Sequence, residues 1–166
     1  MVETPRLILR RLHLGDAPFI FELVNDPDWL RYIGDKGVRT LDDARGYLRN
    51  GPLAMYERAG FGLYCVELRE SGAPIGLCGP IRRDTLPDVD IGFAFLPAFR
   101  AQGYAREAAQ ATLEHARDVL GLARVIAIVS PGNHASSRLL EKIGLRYERR
   151  IRPSENDEVL LYAIDF

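Results

Sequence analysis

The strongest constraint on the fold lies where the hydrophobic period changes. From Val89 to Leu96, the apolar Val89, Ile91, Phe93 and Phe95 alternate with Asp90, Gly92 and Ala94, the period of two of a strand. From Gly103 the apolar positions Tyr104, Ala108, Ala111, Ala116 and Leu120 recur at helical spacing until Gly121. Val125–Val129 is then a near-continuous apolar run, as in a strand covered on both faces. A strand, a helix and a second, fully buried strand in that order need helices layered on a sheet. Gly92, inside the first strand, points to a bulge or a close approach.

The rest of the chain fits that frame. Leu7–Leu12 reads as a first strand and Ala17–Asn25 as a helix that Asp26-Pro27 stops. Thr40 caps a helix from Leu41 to about Leu48, with Asp42 and Asp43 in its first turn. Phe61–Leu68 and Pro74–Ile81 form two strand arms around the turn Glu70-Ser71-Gly72. Asn133 to Lys142 is a helix stopped by Gly144, and Leu145–Ile151 and Val159–Ile164 are two closing strands. The fold class is a mixed α/β or α+β domain with one central sheet, and residues 1–166 are read as a single domain, without repeat or linker.

Composition narrows the function classes. Lys+Arg 22 against Asp+Glu 23 gives a formal charge of −1, without the basic excess of a nucleic-acid binder. Two cysteines, Cys65 and Cys78, cannot build a disulfide framework or a cysteine zinc site, and both lie in apolar stretches. The three histidines show no metal spacing, so no metal is assigned. No secretory signal and no run of about 18 apolar residues is visible, so a cytoplasmic protein without a membrane or nucleic-acid partner is expected. A homodimer is left open.

Chemistry concentrates at Arg100-Ala101-Gln102-Gly103-Tyr104-Ala105-Arg106, where a strand gives way to a helix. Amides of a first helical turn lack internal partners and carry positive potential, so this junction suits an anion. Gly103 and Ala105 leave room for a bulky group, and Arg100 and Arg106 can bond phosphate. An ordinary loop with two solvated arginines would read the same way. Neither a P-loop nor a dinucleotide G-x-G-x-x-G fingerprint is present.

Arg100-x-x-Gly103-x-Ala105 resembles the acetyl-CoA diphosphate loop of the GNAT N-acetyltransferases. The segment from Asn133 through Ser136, Ser137, Arg138, Glu141, Lys142 and Gly144 to Leu145 is similar to that family's Asn-x-x-Ser-x-Arg…Glu-Lys-x-Gly-Phe segment, with Leu145 where Phe is usual. The opening Thr4–Arg10, followed by Asp16 and Asn25-Asp26-Pro27, resembles the RimJ/RimL-like branch, named for ribosomal-protein N-terminal acetyltransferases. The resemblance implies a GNAT fold: a central mixed, mostly antiparallel sheet with a splayed strand pair, flanked by helices. It implies acetyl-CoA as donor, with the pantetheine arm on Phe93, Ala94 and Phe95 and the diphosphate on the loop from Arg100 to Arg106. Asn133, and toward the nucleotide end Arg138, would complete the contacts.

The implied function is acetyl transfer to a primary amine, a peptide N-terminus or a small molecule, directly within a ternary complex. Asp90 is the candidate base or amine-orienting carboxylate, although an Asp at a strand start also serves simply to bond a loop. Ser136 is the candidate donor near the sulfur, although helix-start serines often bond backbone instead. Many relatives place a Tyr acid just past the Asn, and here none follows. Trp29 is the candidate acceptor wall, and core packing is its other reading. Asp26, Asp28, Asp35, Asp42 and Asp43 make the first third acidic, which would favour a cationic amine. The alternatives are a non-catalytic acyl-CoA-binding or sensory domain and a nucleotide-binding regulator, which ligand binding and amine turnover would separate.

Overall fold

The computed structural model describes residues 1–166. Its strands are β1 (Val2–Glu3), β2 (Leu7–Arg11), β3 (Tyr64–Leu68), β4 (Pro74–Ile81), β5 (Asp90–Phe95), β6 (Arg124–Val129), β7 (Arg146–Ser154) and β8 (Asp157–Asp165). They form one eight-stranded sheet in the order β1-β2-β3-β4-β5-β6-β8-β7. Every neighbouring pair is antiparallel except β5 and β6. The helices are α1 (Ala17–Val24), α2 (Pro27–Tyr32), α3 (Leu41–Leu48), α4 (Ala54–Ala59), α5 (Tyr104–Asp118) and α6 (His134–Lys142).

The two faces of the sheet carry separate cores. On one, Ile91 and Phe95 of β5 and Val125 and Ala127 of β6 pack with Ala108, Ala109 and Leu113 of α5 and Leu140 of α6. Ala108 and Ala109 are both fully buried, and their small side chains let α5 lie close to the strands. On the other face, Ile20, Leu23, Ala44 and Leu48 of α1 and α3 cover Cys65, Leu77 and Leu96. Each fully buried Leu or Ile contributes roughly 1.5–3 kcal/mol relative to exposure, which anchors both helical layers to the sheet.

Asp26-Pro27 follows the end of α1 at Val24, as the sequence predicts, but it is not a loop. It begins α2: the Asp26 carboxylate accepts the Asp28 amide at 3.2 Å, and Pro27 occupies the first turn, where no N–H is needed. The segment Arg49–Leu53, which contains Gly51 and Pro52, continues α3 as a wide π turn into α4. Its Gly and Pro hide that continuity from a propensity reading. Residues 61–63 precede β3 rather than belonging to it. Gly92 makes no bulge, since β4 and β5 pair without interruption from Gly76↔Phe95 to Ile81↔Asp90. A Cβ there would meet Ile81 Cδ1 at 2.7 Å, so packing across the face accounts for the glycine.

The feature that positions a site is the join between β5 and β6. Their only register pair is Asp90↔Ile126, supported by Ile126 N–H donating to Val89 O at 3.0 Å. Toward Phe95 and Val129 the strands have no further partners in each other. Each is nonetheless held along its outer edge, β5 by β4 and β6 by β8, six register pairs apiece. The gap is therefore built into a rigid sheet and leaves a row of backbone N–H and C=O groups open to a guest.

Candidate active site

The mouth of this V-shaped gap is the turn after β5. Pro97–Phe99 forms a short 3-10 turn, Ala101 and Gly103 take left-handed φ values of 59° and 84°, and α5 starts at Tyr104. The first helical bond runs from Glu107 N–H to Gly103 O at 3.0 Å, so the amides of Tyr104, Ala105 and Arg106 are free of intrahelical partners. Of the loop's two arginines, only Arg106 is exposed and makes no ion pair.

Arg6 stabilises the loop from behind, and sequence reasoning passed over it. Its guanidinium donates to Gln102 O at 3.1 Å and to Glu107 Oε1 at 2.8 Å, and it lies 4.4 Å from the centroid of the Tyr104 ring. Thr4 Oγ1 donates to Glu107 Oε2 at 2.5 Å. Against the opposing effect of partial burial, Thr4 and Arg6 hold the Glu107 carboxyl below the usual carboxylate range. Only its place in the Thr4–Arg10 motif marked Arg6, because a contact 96 residues along the chain leaves no local pattern.

Arg100 is a correction. Its Nη2 and Nη1 each lie 2.6 Å from a carboxylate, Asp26 and Asp28 respectively, and its Nε donates to Phe95 O at 3.0 Å. The side chain thus clasps the start of α2 to the end of β5, and its charge is spent there rather than offered to an anion. At the other end of α2, Ser130 Oγ donates to Tyr32 O at 2.8 Å, which ties the helix to the end of β6. The six-residue helix therefore bridges the two parted strands and walls the gap on the face opposite α5.

Trp29 is a second correction. It is 4% exposed and belongs to the α1–α3 core, so its ring packs inside α2 instead of lining a surface. Its Nε1–H is buried without a partner. Asn133 caps α6, its Oδ1 accepting the Ser136 amide at 3.3 Å, which leaves its NH2 group available. Ser136 is half-buried and its hydroxyl makes no hydrogen bond within the chain, while Arg138 is exposed.

At the apex of the gap sits Asp90, 1% exposed. Its Oδ1 accepts from Arg83 Nε at 3.2 Å. Burial pushes the carboxyl up to about 6, despite the attraction of Arg83 and its hydrogen bond. Two more groups lie within electrostatic reach of that guanidinium. Burial raises the Tyr47 phenol to about 12, with Arg83 opposing. Burial of the ammonium and then the like charge of Arg83 lower Lys36 from its ordinary value. Arg83 carried no sequence signal, because the loop after β4 brings it to Asp90 only in the folded chain. Cys65 and Cys78 are buried, and burial raises both thiols to about 12.

A sheet split at a single parallel joint, with bare helix-start amides at its mouth and a buried carboxylate at its apex, defines a class of protein. Such an arrangement can bond an extended molecule with an anionic tail through its open backbone groups. The acetyltransferase (GNAT) domain matches residues 6–146. "Uncharacterized N-acetyltransferase YnaD" of Bacillus subtilis is 32% identical over 147 residues, 89% of this chain and 83% of its own. An acetyltransferase from Agrobacterium tumefaciens superimposes with a TM-score of 0.85 at 28% identity, covering 99% of this chain and 94% of that one. RimL, a ribosomal L7/L12 α-N-protein acetyltransferase solved with coenzyme A, shares the fold with a TM-score of 0.83 at 18% identity, covering 98% and 95% of the two chains. The chain belongs to the GNAT acetyltransferase family. No helix is long and apolar enough to cross a membrane.

Proposed function

We propose that the protein moves an acetyl group from acetyl-CoA to a primary amine by direct transfer in a ternary complex. The observation that carries this reading is the single β5–β6 register pair, Asp90↔Ile126. Along Phe93, Ala94 and Phe95 it leaves the β6-facing edge of β5 without a strand partner, the Phe95 carbonyl being held by Arg100, and that edge suits the amides of a pantetheine arm, as an added strand would pair. The free amides of Tyr104, Ala105 and Arg106 and the Arg106 side chain suit the diphosphate. The Asn133 NH2 group and Arg138 extend the contacts along α6.

In the transfer, the amine nitrogen attacks the thioester carbonyl carbon, the C–N bond forms, and the C–S bond breaks to release the thiolate. The proton that the ammonium must shed goes to Asp90, whose carboxyl at about 6 is ionised yet basic near neutrality, and the second N–H proton, lost as the amide forms, passes to the thiolate to give free CoA thiol. The Ser136 hydroxyl, without a partner in the chain, donates to the departing sulfur. Backbone N–H groups of the open β5 edge stabilise the carbonyl oxygen as charge builds on it. A covalent acetyl-enzyme has no suitable nucleophile, since both thiols are buried and held in their protonated form.

The test is initial-rate kinetics over a matrix of acetyl-CoA and amine concentrations, with free thiol as the readout. Intersecting lines and no acetylated protein by mass spectrometry are expected. Parallel lines would refute direct transfer. Binding of CoA without consumption of acetyl-CoA by any amine would leave the acyl-CoA-binding alternative.

A further inference from the structure

We infer that Arg83 is a positioning residue, which anchors one oxygen of Asp90 and leaves the other to take the proton of the amine. The role rests on the proposed acetyl transfer, in which Asp90 is the base, and deepens that reading of the site. Asp90 opposes Ile81 in the last β4–β5 pair before the loop that joins the two strands. Three contacts shape this loop. Leu86 N–H donates to Arg83 O at 3.2 Å and closes a turn. The Leu86 side chain is buried in a cluster with Ile126, Leu161 and Ala163. Asp88 Oδ2 lies 3.4 Å from Arg124 Nε, and Arg124 also binds Glu148 of β7 at 2.6 Å and Asp165 of β8 at 3.1 Å. The loop is thereby fastened to β6, β7 and β8, and the backbone of Arg83 has a fixed place from which to reach Asp90.

The manner of that contact separates it from a structural ion pair, of which Asp16 is the example in the same chain. Asp16 is also buried, and Arg10 holds both its oxygens, Nη2 on Oδ1 and Nη1 on Oδ2 at 2.9 Å each, while the His13 amide adds a third bond at 2.9 Å. Against the effect of burial, those bonds keep its carboxyl below the ordinary value. Arg83 instead donates to Asp90 through Nε alone, to Oδ1 at 3.2 Å, and both its Nη groups lack a partner in the chain, so its fork is vacant. Asp90 Oδ2 accepts from no other residue. It is not sealed either, since Trp29 Nε1 is the one fully enclosed side-chain polar atom without a partner. A carboxylate turns freely about its last bond, and a single anchor on Oδ1 narrows that freedom without occupying Oδ2. A buried carboxylate kept for stability alone would have both oxygens paired, because each unpaired one carries a desolvation cost. Around the pair, Tyr47 of α3 and Lys36 between α2 and α3 lie within electrostatic reach of Arg83, and the neighbouring strands place Ile81 and Ile126 opposite Asp90.

The experiment uses Arg83→Met, which removes donor and charge, and Arg83→Lys, which keeps the charge but not the Nε contact. The Arg83 side chain is 42% exposed, so neither change empties a core site. Three readouts are taken: kcat at saturating substrates, the pH profile of kcat/KM, and titration of the Asp90 carboxyl by carbon-13 NMR of aspartate-labelled protein, with Asp90→Asn identifying the resonance. In Arg83→Met, kcat should fall roughly 10- to 100-fold while CoA affinity by calorimetry stays within about twofold. The low-pH limb of the profile and the NMR titration should both move up by roughly one pH unit, since the attraction that opposes burial is gone. In Arg83→Lys the titration should stay near its wild-type position while kcat remains low. Added to Asp90→Asn, Arg83→Met should cost little more, because the two residues act as one unit. Full recovery of kcat in Arg83→Lys would make charge, not position, the contribution and overturn the inference. So would an unchanged kcat and titration in Arg83→Met, losses that multiply in the double variant, or loss of CoA affinity in both single variants. Unchanged turnover in Asp90→Asn defeats the base role itself, whereas a slow Asp90→Asn beside an unaffected Arg83→Met defeats the role of Arg83 alone.

Discussion

Replacing Asp90 by Asn separates a catalytic carboxylate from a structural one, because the two roles move stability in opposite directions. Asp90 is 1% exposed, and burial lifts its carboxyl from 3.8 to about 6 even with Arg83 at 3.2 Å. That difference corresponds to about 3 kcal/mol between its two protonation states. A carboxyl whose pKa rises on folding binds more protons in the folded chain than in the unfolded one between about pH 4 and 6. Its effect is therefore nil below that window, unfavourable and growing across it, and a constant penalty at neutral pH. Asn keeps the shape and can still accept from Arg83, but it removes the charge. Chemical denaturation from about pH 4 to 8 should show the variant no more stable than wild type at the acid end. At the neutral end it should be more stable by up to about 3 kcal/mol. The same substitution should lower kcat/KM on the order of 100-fold and erase the limb of its pH profile near 6. A variant that is less stable at pH 7, or a stability difference flat with pH, would show that the ion pair with Arg83 outweighs the burial. Unchanged turnover would remove Asp90 from the chemistry.

Other substitutions test the remaining parts of the site. Gly103→Ala places a Cβ 3.2 Å from Arg6 Nη2 at a φ of 84°, and should weaken CoA binding as well as stability. Gly121→Ala, at a φ of 67° with open space around it, should cost a similar ~1 kcal/mol of backbone strain but leave CoA affinity alone, as titration calorimetry would show. Arg100→Gln strands the buried Asp26 and should lower stability by about 1–2 kcal/mol, discounted because Arg100 is itself 36% exposed. Its CoA affinity should stay within about twofold while KM for the amine rises, since the bond it loses positions α2; a large loss of CoA affinity would return Arg100 to the anion cradle. Iodoacetamide should leave Cys65 and Cys78 unmodified in the folded protein and alkylate both after denaturation, as mass spectrometry of the intact chain would record.

The elements that periodicity announces are those whose packing is simple. Pro74–Ile81 and Leu41–Leu48 fall where the sequence puts them, and β5, β6, α5 and α6 lie within two residues of expectation. What escaped has a common cause. Asp26-Pro27 does stop α1, but its start of α2, like the helical continuation through Arg49–Leu53, is hidden because Pro and Gly usually end helices. In each, the local residues were reassigned by their surroundings: Asp26 became a cap once Arg100 neutralised it, and the π turn passed Pro52 into a buried position. The residues over-read as site had the same fault, since Arg100 and Trp29 were judged by type rather than by partner.

Charge was the hardest feature to read, and the reason is physical. A carboxylate acts on a substrate only if nothing nearer neutralises it, and neutralisation depends on contacts between residues 3 to more than 70 positions apart, such as Asp42–Arg45 and Asp26–Arg100. Counted along the chain, the first third is acidic; counted in space, three arginines pair with four of its five named aspartates, Arg100 holding two of them. At Asp90 the partner is Arg83, after β4, which meets the carboxylate through Nε at 3.2 Å. The same Arg83 that keeps Asp90 from rising further also offers its vacant fork beside it. Drawing Arg83 away would weaken its hold on Asp90 and leave burial to raise the carboxyl further, making it a stronger base.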